Sequence, residues 1–214
     1  MINKTIYIVR HGETEYNRLG IVQGGSINSS LNGYGKLQAQ AFHRAYGHIP
    51  FEVVLTSALK RTHETVWPFI SSGLPWEQFQ EINEMNWGDW EGKPTHPEMS
   101  ATYQRIKDAW SSGNLDARLE GAESAAELGR RLSVFHQHLL GRPERHILVC
   151  SHGRAMCGLV CLLSGLPLSE MNRFQHSNTG VWRAHLQEGV LHFDLQNDTR
   201  HLQLMADEKL TINV

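Results

Sequence analysis

The chain has 214 residues, of which 40% are hydrophobic and 20% are charged, a composition typical of a folded globular protein rather than a disordered one. Its 20 Lys and Arg residues nearly balance its 22 Asp and Glu residues. No broad basic surface is therefore expected, and nucleic acid is not an expected partner. No apolar run has the length needed to span a bilayer, so no membrane partner is expected either. The length predicts one domain over residues 1–214.

The three cysteines are Cys150, Cys157 and Cys161, and the last two have helical rather than disulfide-framework spacing. Because no secretory signal pattern is present, a reducing cytoplasm is the expected location. The 13 histidines are scattered, and none belongs to a motif with zinc-ligand spacing. We therefore expect no metal.

The first predicted strand is the β-branched and aromatic run at residues 6–9, which is typical of a strand buried on both faces of a parallel sheet. It ends at Arg10 and His11. A helix is then predicted over residues 31–46, stopped by Gly47. Its apolar face is formed by residues at helical steps: Leu31, Tyr34, Leu37, Ala41 and Ala45. A strand, polar residues and a helix thus form the first unit of an alternating pattern.

The second unit begins with a predicted strand at residues 53–55. We predict that Ser57 caps the following helix, which continues to about residue 69. Arg61 falls in the first turns of this helix. It is therefore expected near the C-terminal end of the strand.

Residues 85–121 interrupt the alternation with prolines, glycines and three of the chain's six tryptophans. We interpret them as an inserted, cap-like excursion over the sheet. Their tryptophans either shape a substrate pocket or pack beneath the connection. A capping-box pattern at Ser124 and Glu127, followed by an apolar face, then predicts a long helix over residues 123–140.

The third predicted strand, at residues 146–150, leads to His152 and to a helix over residues 155–163. Two strands at 181–186 and 190–195 form a predicted closing hairpin, joined through residues 187–189. Alternating strands and helices predict an α/β fold with three α/β/α layers and a largely parallel central sheet. Sites in such sheets gather beyond the C-terminal ends of the strands.

Four polar residues, Arg10, His11, Arg61 and His152, follow these predicted strand ends. Phosphoryl transfer needs several fixed donors around one nucleophile, because its transition state spreads negative charge over the equatorial oxygens. Arg10 and Arg61 fit this need, since a guanidinium binds phosphate through two hydrogen bonds. Their charges should keep His11 neutral, with a lone pair available for attack. His152 is a further candidate donor to the transferring group.

The same chemistry needs a carboxyl group that protonates the leaving oxygen and later accepts a proton from water. Glu84 is our candidate, because it lies where the regular pattern gives way to the excursion. Four other carboxyl groups remain alternatives for this role: Glu13, Glu15, Glu81 and Glu91.

An ordered set of short motifs runs along most of the chain. It comprises residues 10–17 (RHGETEYN), 23–24 (QG), 56–62 (TSALKRT), 84–92 (EMNWGDWEG), 121–124 (GAES) and 151–153 (SHG). In this combination the chain resembles the histidine phosphatase superfamily, also called the phosphoglycerate mutase-like family. One such motif would be weak, whereas the ordered set is highly specific.

The resemblance implies a phosphoglycerate mutase-like fold and a small phosphorylated metabolite as substrate, with no cofactor. It implies His11 as the phosphohistidine nucleophile and Glu84 as the proton donor. It implies three phosphate ligands: Arg10, Arg61 and His152. It further implies three lesser pocket contacts: Asn17, Gln23 and Gly24.

The segment at residues 84–92 and the modest length resemble the phosphatase branch, which includes α-ribazole-phosphate phosphatases and broad-specificity phosphatases. Two alternatives stay open: a phosphoglycerate mutase-type phosphotransferase and a catalytically weak phospholigand-binding protein. Arg154 and Met156 depart from the small and apolar residues common after the second family histidine. These departures bear on the choice of substrate more than on the phosphohistidine step.

Overall fold

The computed structural model describes residues 4–187, 190–203 and 205. Within this part, six strands form one sheet. The strands are β1 (Lys4–Arg10), β2 (Val53–Ser57), β3 (Trp76–Phe79), β4 (His146–Ser151), β5 (Val181–Gln187) and β6 (Val190–Asp198). The α-helices there are α1 (Glu15–Leu19), α2 (Gly33–Tyr46), α3 (Lys60–Ser71), α4 (Pro97–Ser111), α5 (Ala125–Gly141) and α6 (Gly153–Leu163). None of the helices in these ranges is long and apolar enough to cross a membrane.

The strands are arranged in the order β3-β2-β4-β1-β5-β6. Neighbouring strands from β3 to β1 are parallel, whereas β5 pairs antiparallel with both β1 and β6. The prediction of a largely parallel sheet with a closing hairpin is therefore confirmed. Residues 188 and 189 of the predicted hairpin turn lie outside the described residues.

Two hydrophobic cores cover the two faces of the sheet. Alternate residues of a strand point to opposite faces, so Ile6 and Ile8 of β1 belong to one core and Tyr7 and Val9 belong to the other. The first core includes residues of α4, α5 and α6, and the second includes residues of α2 and α3. The predicted α/β/α layering is thereby confirmed.

Helix α5 shows how directly one sequence pattern becomes structure. The hydroxyl of Ser124 accepts from the backbone N–H of Glu127 at 3.2 Å, and the Glu127 carboxylate accepts from the Ser124 N–H at 2.8 Å. This reciprocal capping satisfies two N–H groups that the first helical turn leaves unpaired. Leu128, Leu132 and Phe135 on one helix face are fully buried, and burial stabilises each by about 1.5–3 kcal/mol.

The structure differs from the prediction for the first two predicted helices. Helix α2 begins at Gly33 with Asn32 as its cap, and Tyr34 and Leu37, assigned to its apolar face, are exposed. Its buried side also includes Phe42, which belongs to the second core, and Gln38, whose side-chain oxygen accepts from the Glu13 N–H at 2.8 Å. The predicted face is therefore correct at Ala41, which is fully buried, and wrong at Tyr34 and Leu37.

Ser57 was predicted to cap the helix after β2, and this was wrong. Ser57 is the last residue of β2, while α3 starts at Lys60 after Leu59, which forms no side-chain capping bond. The Ser57 hydroxyl is engaged elsewhere, 2.7 Å from His152 Nε2 and 3.0 Å from Thr62 Oγ1. Its polar group therefore belongs to the strand-end region.

Residues 85–121 contain the 15-residue helix α4, which the prediction of a cap-like excursion did not specify. Pro97 occupies the first turn of this helix, where a missing N–H costs nothing and the fixed φ is already helical. Trp110 of α4 is fully buried in the first core. The excursion is thus anchored to the main fold by an aromatic side chain.

Candidate active site

Parallel pairing brings the ends of β1, β2 and β4 side by side. Arg10 pairs with Ser151 in the β1–β4 register, and β2 pairs with β4 up to Thr56. His11 and His152 follow directly, and their ring centroids are 5.1 Å apart. The predicted convergence of polar residues at one sheet edge is therefore present in the fold.

His11 is buried, and its ring is held by the adjacent backbone. Its Nδ1 lies 2.7 Å from the Gly12 carbonyl oxygen, which can only accept a hydrogen bond, so Nδ1 carries the proton and Nε2 has a free lone pair. Burial, followed by the charges of Arg61 and Arg10, lowers the pKa of His11 well below its usual value. The ring is therefore a neutral, oriented nucleophile.

Gly12 allows the backbone after His11 to pass close to the backbone of Gly35 in α2. A Cβ atom at Gly12 would lie 2.7 Å from the Gly35 carbonyl oxygen, closer than van der Waals contact allows. The Gly12 N–H donates to the hydroxyl of Thr65 at 2.9 Å. Helices α2 and α3 therefore both fix the backbone that holds the His11 ring.

Arg61 lies in the first turn of α3 and is fully buried. Its Nε donates to His152 Nδ1 at 3.1 Å, and its terminal nitrogens donate to backbone carbonyls, including that of Ile27 at 2.6 Å. Burial is the main cause that lowers the pKa of Arg61 to about 10, so the guanidinium stays charged at neutral pH. Burial, followed by the charge of Arg61, also lowers the pKa of His152 well below its usual value.

Arg10 points toward the first residue of α6. Its Nη1 donates to the His176 carbonyl oxygen at 2.7 Å, while its buried Nε has no hydrogen-bond partner among the described residues. A Cβ atom on Gly153 would lie 3.6 Å both from this Nε and from Glu84 Oε2. Arg10 and Glu84 therefore converge on the start of α6.

Glu84 is buried, and its carboxylate accepts three backbone N–H groups. Oε1 accepts from Met85 at 2.8 Å and from Ala155 at 3.0 Å, while Oε2 accepts from Arg154 at 3.1 Å. Two of these donors belong to the first turn of α6, where the helix dipole favours a negative group. The carboxyl group is thereby fixed beside Arg10 at the strand ends.

Three of the alternative carboxyl groups have other partners. Glu15 is exposed and forms an ion pair with Arg18. Glu13 accepts from the side-chain amide of the α2 cap at 2.8 Å, and Glu91 accepts from two backbone N–H groups at 2.9 and 3.0 Å. Glu84 is the carboxyl group that the described contacts place against Arg10.

A second arginine supports the backbone that carries Glu84. Arg131 of α5 donates to the carbonyl oxygens of Glu81, Asn83 and Glu84 at 2.7, 2.8 and 3.3 Å. Its Nε and Nη2 bind the two oxygens of Glu123 at 2.6 and 2.8 Å. This bidentate pair fixes the guanidinium plane, so the Glu84 backbone is anchored to α5.

A cavity of about 320 Å³ opens beside Arg10 and Glu84, with Tyr103, Arg154 and His176 also in its walls. A second cavity, of about 250 Å³, shares Trp87 and Tyr103 with the first. The excursion at 85–121 therefore supplies aromatic walls around the strand-end residues. In the described part of the chain, no group of three or more His, Cys, Asp or Glu side chains is arranged to hold a metal ion.

The three lesser pocket candidates occupy different positions. Asn17 is the third residue of α1, whose cap is Thr14, and its Oδ1 accepts from the Thr14 N–H at 3.2 Å. Gln23 lines the second cavity. The carbonyl oxygen of Gly24 accepts from Arg61 at 3.3 Å, so this residue contacts a strand-end arginine through its backbone.

Comparison with known proteins decides the family. The model of the histidine phosphatase superfamily (branch 1) matches residues 6–199. This chain belongs to the histidine phosphatase superfamily. The resemblance recognised in the sequence motifs is thereby confirmed, together with the phosphoglycerate mutase-like fold.

Members of the superfamily with known names cover nearly the whole chain. The adenosylcobalamin/alpha-ribazole phosphatase of Escherichia coli K12 is 30% identical over 181 residues, which cover 84% of this chain and 88% of that protein. A Yersinia pestis protein named probable phosphoglycerate mutase GpmB is 29% identical over 212 residues, which cover 96% of this chain and 98% of that protein. The crystal structure of the alpha-ribazole phosphatase from Shigella flexneri superposes with a TM-score of 0.78 at 26% identity, covering 91% of this chain and 96% of that one.

Some residues of this superfamily site were not singled out in the sequence. Thr65 bridges two site segments, since its hydroxyl accepts from Gly12 and donates to the Arg61 carbonyl at 2.6 Å. Thr65 lies four residues after Arg61, so helical spacing alone could have placed it beneath that residue.

Arg131 and Asn178 have no comparable local signal. Asn178 Nδ2 donates to the His11 carbonyl oxygen at 2.9 Å and to Asn17 Oδ1 at 3.3 Å. It reaches them from the segment before β5, at the far end of the sequence. Contacts between such distant residues become visible only once the sheet order is known.

Proposed function

We propose that this protein is a phosphomonoester hydrolase that acts through a phosphohistidine on His11. The observation that carries the proposal is the His11 geometry: Nδ1–H faces the Gly12 carbonyl at 2.7 Å, and the charges of Arg61 and Arg10 help to keep the ring neutral. A lone pair on Nε2 next to two guanidinium groups is what attack on a phosphate dianion requires.

In the first step, His11 Nε2 attacks phosphorus, the bond from phosphorus to the ester oxygen breaks, and Glu84 gives that oxygen its proton. Arg10 and Arg61 stabilise the equatorial oxygens. The single N–H of the neutral His152 faces the Ser57 hydroxyl, and it becomes a further donor to the phosphoryl group when it leaves that contact. In the second step, water attacks the phosphohistidine while Glu84 accepts a proton from it. Inorganic phosphate and neutral His11 are the products.

The relative named as an alpha-ribazole phosphatase supports hydrolysis of a small phosphorylated metabolite. The Yersinia relative, 98% of which is covered, favours a second candidate function, in which the phosphohistidine returns its phosphoryl group to a phosphoglycerate. Measuring phosphate release and interconversion of 3- and 2-phosphoglycerate in one assay separates the two. Mutase turnover faster than hydrolysis would favour the phosphotransferase over the hydrolase.

The nucleophile is tested with His11→Ala and with His48→Ala, which removes an exposed histidine, as the control. We expect wild type and His48→Ala to hydrolyse p-nitrophenyl phosphate and to form an acid-labile phosphoenzyme when rapidly quenched. His11→Ala should lose at least about 10³-fold in kcat and all of the trapped phosphate. Tight phosphate binding with turnover that His11→Ala leaves unchanged would instead support a phospholigand-binding protein.

We further propose that residues 1–214 form one domain and act in the cytoplasm. The family match over residues 6–199 and the single sheet support the first statement. One calorimetric unfolding transition is expected, and two independent transitions would contradict a single domain. Recovery of the protein outside the cytoplasmic fraction of its source cells would contradict the second statement.

A further inference from the structure

Arg154 is the second residue of α6 and one of the departures from the family pattern noted in the sequence. Its Nη1 donates to Asn172 Oδ1 at 2.9 Å, and its Nη2 donates to the Tyr103 hydroxyl. The guanidinium carbon also lies 5.5 Å from the Tyr103 ring centroid and 5.7 Å from that of Trp110. Neutral and aromatic neighbours thus fix this cation in the wall of the 320 Å³ cavity.

In the described part of the chain, the guanidinium of Arg154 has no carboxylate partner. Among the residues that the structure describes, no ion pair involves its guanidinium, and the nearby Glu84 carboxylate bonds instead to its backbone N–H. A guanidinium held away from bulk water is costly unless an anion pairs with it. The open side of Arg154 faces the cavity next to Arg10.

His176 is a second, independent sign of a ligand in this cavity. It is 9% exposed and lines the same cavity, and neither of its ring nitrogens has a hydrogen-bond partner among the described residues. Buried polar side chains are nearly always hydrogen-bonded. The imidazole is therefore a second polar group in the wall of this cavity that the described residues leave without a partner.

Charge balance indicates what that group is. In the proposed reaction the two charges of Arg10 and Arg61 compensate a phosphate dianion. One positive charge, that of Arg154, then remains on the cavity wall. A single negative charge on the leaving group would neutralise it.

We propose that Arg154 binds a carboxylate on the leaving-group side of the substrate, so that phosphate monoesters of hydroxy acids are preferred. Tyr103 and Asn172 orient the guanidinium, and His176 provides a further hydrogen bond to the bound acid. The inference rests on the proposed phosphatase function. It adds a substrate class and the residue that selects it.

Binding tests the inference without requiring turnover. The probes are 3-phosphonopropionate and propylphosphonate, non-hydrolysable compounds that differ in a terminal carboxylate, measured by calorimetry above the second ionisation of the phosphonate. Wild type should bind the carboxylate compound about 10- to 100-fold more tightly. Arg154→Met should abolish this preference, Arg154→Lys should restore part of it, and Arg105→Met, which changes an exposed arginine of α4, should retain it.

A second experiment compares kcat/KM for 3-phosphoglycerate with kcat/KM for glycerol 3-phosphate. Arg154→Met should lower kcat/KM for the acid about 10- to 100-fold and change that for glycerol 3-phosphate less than about threefold. His176→Phe should weaken binding of the carboxylate compound in the same direction. Including 1,3-propanediol bisphosphate as a substrate tests whether Arg154 prefers a second phosphate to a carboxylate. A higher kcat/KM for the bisphosphate than for 3-phosphoglycerate would overturn the carboxylate assignment.

The outcomes distinguish a failure of the Arg154 inference from a failure of the phosphatase proposal. If wild type hydrolyses p-nitrophenyl phosphate but binds both phosphonates equally, or if Arg154→Met weakens both equally, the Arg154 inference is wrong and the phosphatase proposal stands. If no ester is hydrolysed, the phosphatase proposal fails. The phosphonate preference and its loss in Arg154→Met then decide on their own whether Arg154 binds a carboxylate.

Discussion

Nε of Arg61 donates a hydrogen bond to Nδ1 of His152 over 3.1 Å. Because a guanidinium can only donate, Nδ1 of His152 bears a lone pair and its proton is on Nε2. That Nε2 lies 2.7 Å from the Ser57 hydroxyl. One arginine thus fixes the tautomer of the second histidine, and its charge helps to keep the first histidine neutral.

Replacing Arg61 by lysine tests this relationship. A lysine ammonium is a point charge without the planar fork, so it cannot donate to His152 and to the two backbone carbonyls at once. We expect kcat/KM for p-nitrophenyl phosphate to fall about 10²- to 10³-fold. The exposed neighbour Lys60 provides the control Lys60→Ala. Activity of Arg61→Lys within about threefold of wild type would show that charge alone suffices.

Glu84→Gln should affect substrates according to their leaving groups. A nitrophenolate leaves without protonation, whereas an alkoxide needs the acid, so hydrolysis of glycerol 3-phosphate should fall about 10²- to 10⁴-fold and the first turnover of p-nitrophenyl phosphate much less. Because water attack also lacks its base, a burst of nitrophenol is expected in stopped-flow measurements. Glu81→Gln should behave as wild type. Equal losses for both esters would remove Glu84 from proton transfer.

Arg131 is a positioning residue, because it anchors the backbone of residues 81–84 and does not line the 320 Å³ cavity. Arg131→Met should lower kcat/KM for glycerol 3-phosphate about 10- to 100-fold, since a displacement of Glu84 by about 1 Å is enough. The loss should be smaller for p-nitrophenyl phosphate and should not add to that of Glu84→Gln. Arg130→Met, at an exposed position of the same helix, is the control. Additive losses would mean that Arg131 acts independently of Glu84.

Much of this fold follows from local sequence patterns. The uninterrupted apolar runs of β1 and β4 predict strands buried on both faces, and both are central in the observed sheet. Because parallel strands place their C-terminal ends together, the polar residues after each run were predicted to meet, as His11 and His152 do. Periodicity and strand direction therefore sufficed for this part of the site.

The elements that were missed have weak or misleading local signals. Strand β3 reads Trp-Glu-Gln-Phe at an edge of the sheet, too short for its alternation to be distinctive. Helix α4 begins with a proline and lies in a segment rich in prolines and glycines, so its helical signal is weak. The contacts of Arg131 with the backbone of residues 81–84, and those of Asn178, span 47 residues or more, so no window along the sequence could indicate them.

The buried histidines should make folding stability depend on pH. Burial, with the charges of Arg10 and Arg154, lowers the pKa of His176 to about 3, compared with about 6.5 in an unfolded chain. Between these values the unfolded state binds the proton and the folded state does not. The contribution of the neutral His176 to the free energy of unfolding is therefore complete above about pH 6.5. It is lost as the pH falls toward 3, by about 1.4 kcal/mol per pH unit.

His176→Asn should accordingly reduce the slope of unfolding free energy against pH by about one proton between pH 6 and pH 4. Urea unfolding at several pH values measures this slope, whatever the variant does to the absolute free energy at neutral pH. His48→Asn controls for the loss of an exposed histidine. A slope in His176→Asn equal to that of wild type would mean that His176 accepts its proton in the folded protein as readily as in the unfolded chain, so that its enclosure between Arg10 and Arg154 does not exclude the imidazolium.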